Sequence, residues 1–282
     1  METIFQLSLA MGITVVVVAF LAEYVDSTLG MGYGTTLTPL LMLMGFDPLQ
    51  VVPAVLLSEL ITGLLAGFTH HSVGNVDFKP KTMNVKRIID SFREIGVVES
   101  FKKGVPSSLR IALLIGACSI IGTVAAVFLA INLPKLYLKL YIGILILTIG
   151  IVILATINKK YGFSWKKVTI LGLIASFNKG MSGGGYGPVV VGGQMLSGIN
   201  EKNAVAITSL AEGLTCVVGV MVFLLTKGAT DWILAPYLVI GAVFSVPLAA
   251  FTVKIIKVKF FRVTIGLATL TLGFLTLGKV FF

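Results

Sequence analysis

Gly30-Met31-Gly32-Tyr33-Gly34 and Gly183-Gly184-Gly185-Tyr186-Gly187 stand 153 positions apart, each inside strongly apolar sequence. Laid on one another without a gap, residues 30–62 and 183–215 agree at eleven of thirty-three positions, with Glu59 matching Glu212 and Thr62 matching Thr215. Glycine permits tight reversals and close backbone approach, so each stretch predicts a break in what would otherwise be a membrane-spanning helix. Irregular backbone at membrane depth is tolerated only where protein or a watery cavity surrounds it. A duplicated break with a carboxylate in each copy is the pattern from which secondary transporters build a midplane site.

The sequence around the breaks sets the solvent. Of 282 residues, 56% are hydrophobic and only 12% charged, more apolar surface than a water-soluble fold of this length can hide. The net charge of +10 does not point to a nucleic-acid partner, because the basic residues gather in short loops between apolar runs, as at a cytoplasmic membrane face. Cys118 and Cys216 lie singly in apolar runs and read as packing thiols. With two scattered cysteines and two histidines, no metal site or cofactor is expected. The start, Met-Glu-Thr with no basic residue before the apolar run, reads as mature chain and not as a secretory signal.

Apolar runs cover about 4–25, 48–70, 108–131, 136–157, 201–226, 232–253 and 260–281, most near the ~20 residues a span needs. Residues 34–45, 165–180 and 186–197 are shorter and flank the glycines. The reading is an all-α polytopic membrane protein of two inverted repeats, 1–157 and 158–282. Each repeat holds a re-entrant helical hairpin (4–25 with 34–45, then 165–180 with 186–197) and three transmembrane helices. Charge tests this independently: alternation places seventeen Lys and Arg on one side and four on the other, with Lys179 left in a hairpin. The positive-inside rule then puts both termini outside. Ile142-Gly143, Leu147-Thr148 and Gly150 recur at Ile265-Gly266, Leu270-Thr271 and Gly273, now offset by 123, so the first half carries an insertion at about 72–106. Within it Val85, Ile88, Ile89, Phe92 and Ile95 recur at helical spacing among charged residues. That helix either lies on the inner leaflet or covers the protein's own cytoplasmic face.

Ionisable groups at membrane depth are costly and therefore functional candidates. They are Glu23, Asp26, Glu59, Lys179 and Glu212. Asp26 and Lys179 hold equivalent places just before the breaks and would face one central cavity from opposite sides. Asn178 and Ser182 would add hydrogen-bond donors around Lys179. The N–H groups of Gly183, Gly184 and Gly185, at the start of the 186–197 helix, would favour an anion. The expected binding site is Asn178, Lys179, Ser182 and the Gly183–Tyr186 backbone, with Tyr33, Tyr186 and the 30–34 backbone, Gly30 and Gly32 included, closing the opposite wall. Asp26, Glu59 and Glu212 are candidates for proton coupling or gating. The plainer alternatives are that Asp26 pairs with Lys179 to lock the hairpins, and that the glutamates pin their neighbouring hairpins by hydrogen bonds. His70 and His71 read as ordinary interfacial histidines.

These motifs resemble the sulfite exporter TauE/SafE family, also called the toluene sulfonate uptake permeases. The glycine-rich turn, Pro39 and Gly45-Phe46-Asp47-Pro48 match its pattern, as does Gly74-Asn75-Val76-Asp77 at the inner face. In the second copy Gly183–Gly187 matches and Gly192 stands in place of Pro39. Where the family often has Ala-Thr-Ser-Leu, this chain has Pro53-Ala54-Val55-Leu56-Leu57. The second copy, Ala206-Ile207-Thr208-Ser209-Leu210, is closer. The resemblance implies transport of a small sulfur-containing anion such as sulfite, an organosulfonate, sulfoacetate or thiosulfate across the cytoplasmic membrane, with export a common direction. The repeats themselves predict alternating access by one rocking on the other, and the carboxylates predict protons as the coupling ion. The rival readings are a passive anion channel or uniporter, and a membrane-embedded enzyme. An enzyme would need a nucleophile–base pair or a metal cluster, which the sequence does not offer.

Overall fold

The computed structural model describes residues 7–82, 84, 89–90, 93–94, 96–156, 164–197, 199–228, 232–253 and 258–281. Among these residues all regular structure is helical. In chain order the helices are α1 (Leu9–Leu29), α2 (Tyr33–Leu43), α3 (Pro48–Val73), α4 (Val97–Gly104), α5 (Ser107–Asn132) and α6 (Lys135–Thr156). There follow α7 (Trp165–Ser182), α8 (Tyr186–Leu196), α9 (Glu201–Lys227), α10 (Ala235–Thr252) and α11 (Val258–Phe281). Helices α1, α3, α5, α6, α9 and α10 are long and apolar enough to cross a bilayer, and the chain is a multi-pass membrane protein.

The helix limits follow from local chemistry. Ser8 caps α1 by accepting the Met11 N–H at 3.3 Å. At the other end α1 runs four residues past the expected limit of 25, through Asp26, Ser27 and Thr28. Polar groups can stay helical there because they are answered locally: Ser27 Oγ donates to Glu23 Oε1 at 2.7 Å and Thr28 to the Tyr24 carbonyl. Gly30 then ends the helix at φ 66°, where a side chain would be strained. Pro48 at the first turn of α3 fits a position whose N–H needs no helical partner. Helices α2 and α8, of 11 residues each, are about 16 Å long, half the hydrocarbon thickness. They coincide with the short segments expected at 34–45 and 186–197.

The insertion contains α4, which the sequence reading did not assign, tied back where the Lys81 N–H donates to the Gly104 carbonyl at 2.9 Å. The amphipathic pattern at 85–95 lies almost wholly outside the described residues, as does the junction at 157–158.

Apolar side chains fill the interior and also cover the outer surface. Leu9, Ile13, Val17 and Leu21 form an exposed stripe along α1, and Ile120, Ile121, Phe128, Phe244, Leu248 and Phe274 are likewise exposed. Such faces suit lipid tails. Without a hydrophobic force between helices in lipid, small residues set the close contacts. Gly63 of α3 meets Gly213 of α9, where an added Cβ would come within 2.8 Å of the Gly213 nitrogen. Gly241 of α10 lies against the Val16 carbonyl of α1, and Gly122 of α5 lies against the Leu173 carbonyl of α7. Helices α6 and α11 run antiparallel with four reciprocal contacts: Gly143 on Leu277, Gly150 on Leu270, Gly266 on Leu154 and Gly273 on Leu147. Among the larger packing partners, α1 with α10 mirrors α7 with α5, and α3 with α10 mirrors α9 with α5.

Candidate functional site

The two breaks cross with bare backbone in contact. A Cβ on Gly34 would strike the Gly183 carbonyl oxygen, and one on Gly187 the Gly30 carbonyl oxygen. One on Gly184 would lie 2.6 Å from the Gly34 carbonyl oxygen. The Gly185 N–H donates across the crossing to Thr35 Oγ1 at 3.1 Å. Gly30, Gly32, Gly183 and Gly185 have positive φ and meet the conformational demand of the turns, whereas Gly34, Gly184 and Gly187 meet the steric one.

Lys179, in the last turn of α7, reaches this crossing and is fully buried. Its ammonium binds Glu59 of α3 and, at 2.7 Å, Oε1 of Glu212 of α9. The close approach of α3 and α9 at Gly63 and Gly213 lets a single cation touch both carboxylates. Glu59 Oε1 also accepts the Gly34 N–H at 3.3 Å, and Asp26 Oδ1 accepts the Tyr33 N–H at 3.1 Å. Both acids thus sit at the N-terminus of α2, where free N–H groups and the helix dipole favour negative charge. Glu23 accepts from Ser27 and, at 3.1 Å, from Thr62 Oγ1. Glu23, Asp26, Glu59 and Glu212 border one small cavity with room for roughly one water.

The structure therefore brings Asp26, Glu59, Glu212, Lys179 and both glycine turns together, in a different arrangement from the one expected. Lys179 is paired with two glutamates and not with Asp26. The crossing is closed backbone to backbone, and the cavity beside its carboxylates has room for only about one water. The N–H groups of Gly183, Gly184 and Gly185 have acceptors in the Lys179 carbonyl (2.8 Å), Ser182 Oγ (3.1 Å) and Thr35 Oγ1 (3.1 Å). Asn178 turns from Lys179 to α6, where its Oδ1 accepts from Tyr141 Oη at 2.9 Å. Tyr33 Oη shares a hydrogen bond with Ser58 Oγ at 2.8 Å, and Tyr186 Oη accepts from Thr215 Oγ1 at 3.2 Å. Each tyrosine thus ties a short helix to the long helix of its own half.

Several contributors had no assigned role in the sequence reading. Glu23 lies one turn before Asp26, on the same helical face, and that spacing was the available signal. Thr35 is legible only from the crossing. Thr38 is buried beside Gly183 and its hydroxyl has no partner among the described residues. His70, in the last turn of α3, is wholly buried within the protein. Its Nε2 bonds the Ser27 carbonyl and its Nδ1 bonds Asn75 Nδ2, both at 2.9 Å, and Asn75 also donates to the Ala250 carbonyl. Asn75 of the Gly74–Asp77 motif thereby fastens α3, α1 and α10 at one end. Among the described residues no cluster of His, Cys, Asp and Glu suits a metal ion.

Comparison with known proteins agrees with this membrane architecture. The family model described as "Sulfite exporter TauE/SafE" matches residues 15–83 and 94–276, skipping part of the insertion. The chain is 28% identical over 262 residues to the "Probable membrane transporter protein YtnM" of Bacillus subtilis (strain 168), covering 88% of this chain and 77% of that protein. No solved structure matches the chain at a significant level.

Proposed function

Because the chain belongs to the sulfite exporter TauE/SafE family of membrane transporters, we propose that it carries a small sulfur-containing anion by alternating access, with protons as the coupling ion. Sulfite, an organosulfonate, sulfoacetate and thiosulfate are the candidate substrates. The observation that carries this reading is the buried Lys179 held between Glu59 and Glu212 at the crossing of two glycine breaks. A buried ion pair is weak evidence for stability alone, since the desolvation penalty rivals the attraction. A cation kept at that depth has its use in a pathway.

The proposed cycle exchanges partners on Lys179. In the closed state the ammonium is neutralised by the glutamates. When the crossing parts, the incoming anion takes their place, together with the N–H groups of Gly183–Gly185, Ser182 and the unanswered Thr38 hydroxyl. A carboxylate that loses its cation in a low-dielectric interior must take up a proton or meet water. Four carboxylates around one ammonium cannot all stay charged there, which gives protons a stoichiometric place in the cycle. Asp26, Glu59 and Glu212, now joined by Glu23, are the proposed carriers. Asn178 and the tyrosines hold the walls.

The same reading takes the halves as inverted repeats, 1–157 and 158–282, each with a re-entrant hairpin (α1–α2 and α7–α8), both termini outside and the cytoplasmic membrane as location. The reciprocal glycine–leucine contacts of α6 and α11 support it, since a two-fold axis makes residue i meet j wherever i′ meets j′. Transport would then come from one repeat rocking on the other.

Radiolabelled sulfite, thiosulfate, sulfoacetate and taurine would be offered to proteoliposomes, with and without an imposed pH gradient. Uphill movement of one anion that follows the gradient is the expected result. Movement that only equilibrates would instead assign a uniporter or channel, and no movement of any would remove sulfur anions as the substrate.

A further inference from the structure

A second meeting of charge and an unanswered hydroxyl lies at the far end of α2 from the Lys179 clamp. The last carbonyls of that helix, Met42 and Leu43, accept from Lys279 Nζ of α11 at 3.1 and 2.9 Å. Beside them is a pocket of about 200 Å³ bordered by Lys139 of α6, Lys279, Thr276 and Gly45. Among the described residues no carboxylate borders it. Lys135, one turn from Lys139, is neutralised by Asp47 at 2.7 Å, which leaves the charge of Lys139 and Lys279 on the pocket. Thr276 is buried and its hydroxyl has no hydrogen-bond partner among the described residues, whereas Thr271 on the same helix bonds the carbonyl four residues back. A buried hydroxyl without a partner is costly and calls for an explanation, an unplaced ligand being one. The volume is below the ~300–1,000 Å³ of pockets for drug-sized molecules and suits a small anion or a single headgroup.

We propose that this pocket binds an oxyanion, with Lys139 and Lys279 supplying the charge and Thr276 a hydrogen bond, and that it is the vestibule where the transported anion waits outside the crossing. The second half of that statement rests on the transport reading above. An anion here competes with the Met42 and Leu43 carbonyls for Lys279. It therefore loosens one end of the 11-residue helix whose other end is held by Asp26 and Glu59. Occupancy of the vestibule would weaken the closed crossing from a distance.

The test uses the full-length protein in a neutral detergent. Thermal unfolding is followed with low-millimolar potassium sulfate against potassium chloride of equal ionic strength, and bound phosphatidylglycerol is measured by native mass spectrometry. Sulfate stabilises proteins generally, so variants decide the result. The expected result is a sulfate response whose apparent affinity falls about tenfold or more in Lys139→Met, Lys279→Met and Thr276→Val, but not in Lys135→Met. In proteoliposomes Lys139→Met should then raise KM with little change in kcat. A sulfate response identical in all variants overturns the proposal, and so does its absence together with absence of bound lipid. No sulfate response, but phosphatidylglycerol held by the wild type and lost in the variants, keeps the oxyanion site and overturns the vestibule. If no sulfur anion is transported yet the site-specific sulfate response stands, the transport reading fails and the binding site does not.

Discussion

Lys179 joins three helices through one ammonium, and its removal has consequences that its place in the sequence does not suggest. Considered as an anion ligand alone, it could be replaced by alanine with the fold intact. In the structure that change leaves Glu59 and Glu212 buried without a counter-charge, an expected loss of about 3–5 kcal/mol, seen as a lower melting temperature in detergent together with loss of anion binding. Adding Glu212→Gln to Lys179→Ala should recover part of the stability but none of the binding. A single mutant that melts like the wild type would show that the clamp does not hold the helices. The glutamates make a separate prediction: Glu59→Gln and Glu212→Gln should each uncouple flux from an imposed pH gradient, read as transport that only equilibrates. Continued uphill movement in both would assign the carboxylates to structure.

At the scale of elements, the short helices depend on what the glycines leave out. Gly34→Ala and Gly187→Ala each place a methyl group against a carbonyl oxygen of the other break. Since neither backbone can shift without opening the crossing, the expected cost is about 1–3 kcal/mol with near-complete loss of transport. Gly192→Ala is the control, because an added Cβ there meets nothing within 4 Å. Equal transport by Gly34→Ala and Gly192→Ala would mean that the tight crossing is not part of the working state.

At the scale of the whole molecule, the lysine and arginine distribution makes a directional prediction. In intact cells a membrane-impermeant maleimide should label Lys135→Cys and Lys227→Cys, whereas Lys102→Cys should react only after permeabilisation. Labelling of Lys102→Cys from outside would reverse the proposed topology. The buried native thiols Cys118 and Cys216 should contribute little background.

Much of this was legible in the chain itself. The apolar runs set the membrane class, and the lengths of α2 and α8 appeared as two short segments beside glycines. The intramembrane charges were countable, because each is an expensive exception against a hydrophobic background. Periodicity and spacing report what lies along one helix. They identified Glu59 and Glu212 as equivalent but could not show that one lysine, 120 and 33 residues away, answers both. That was decided by Gly63 meeting Gly213 and by the backbones crossing at Gly34 and Gly187. Such contacts depend on how close two helices can come, a property of the pair that neither sequence holds alone. The buried place of His70, the turn of Asn178 toward Tyr141 and the pocket at Lys139 and Lys279 are of the same kind, each formed by residues from elements that only tertiary packing makes neighbours.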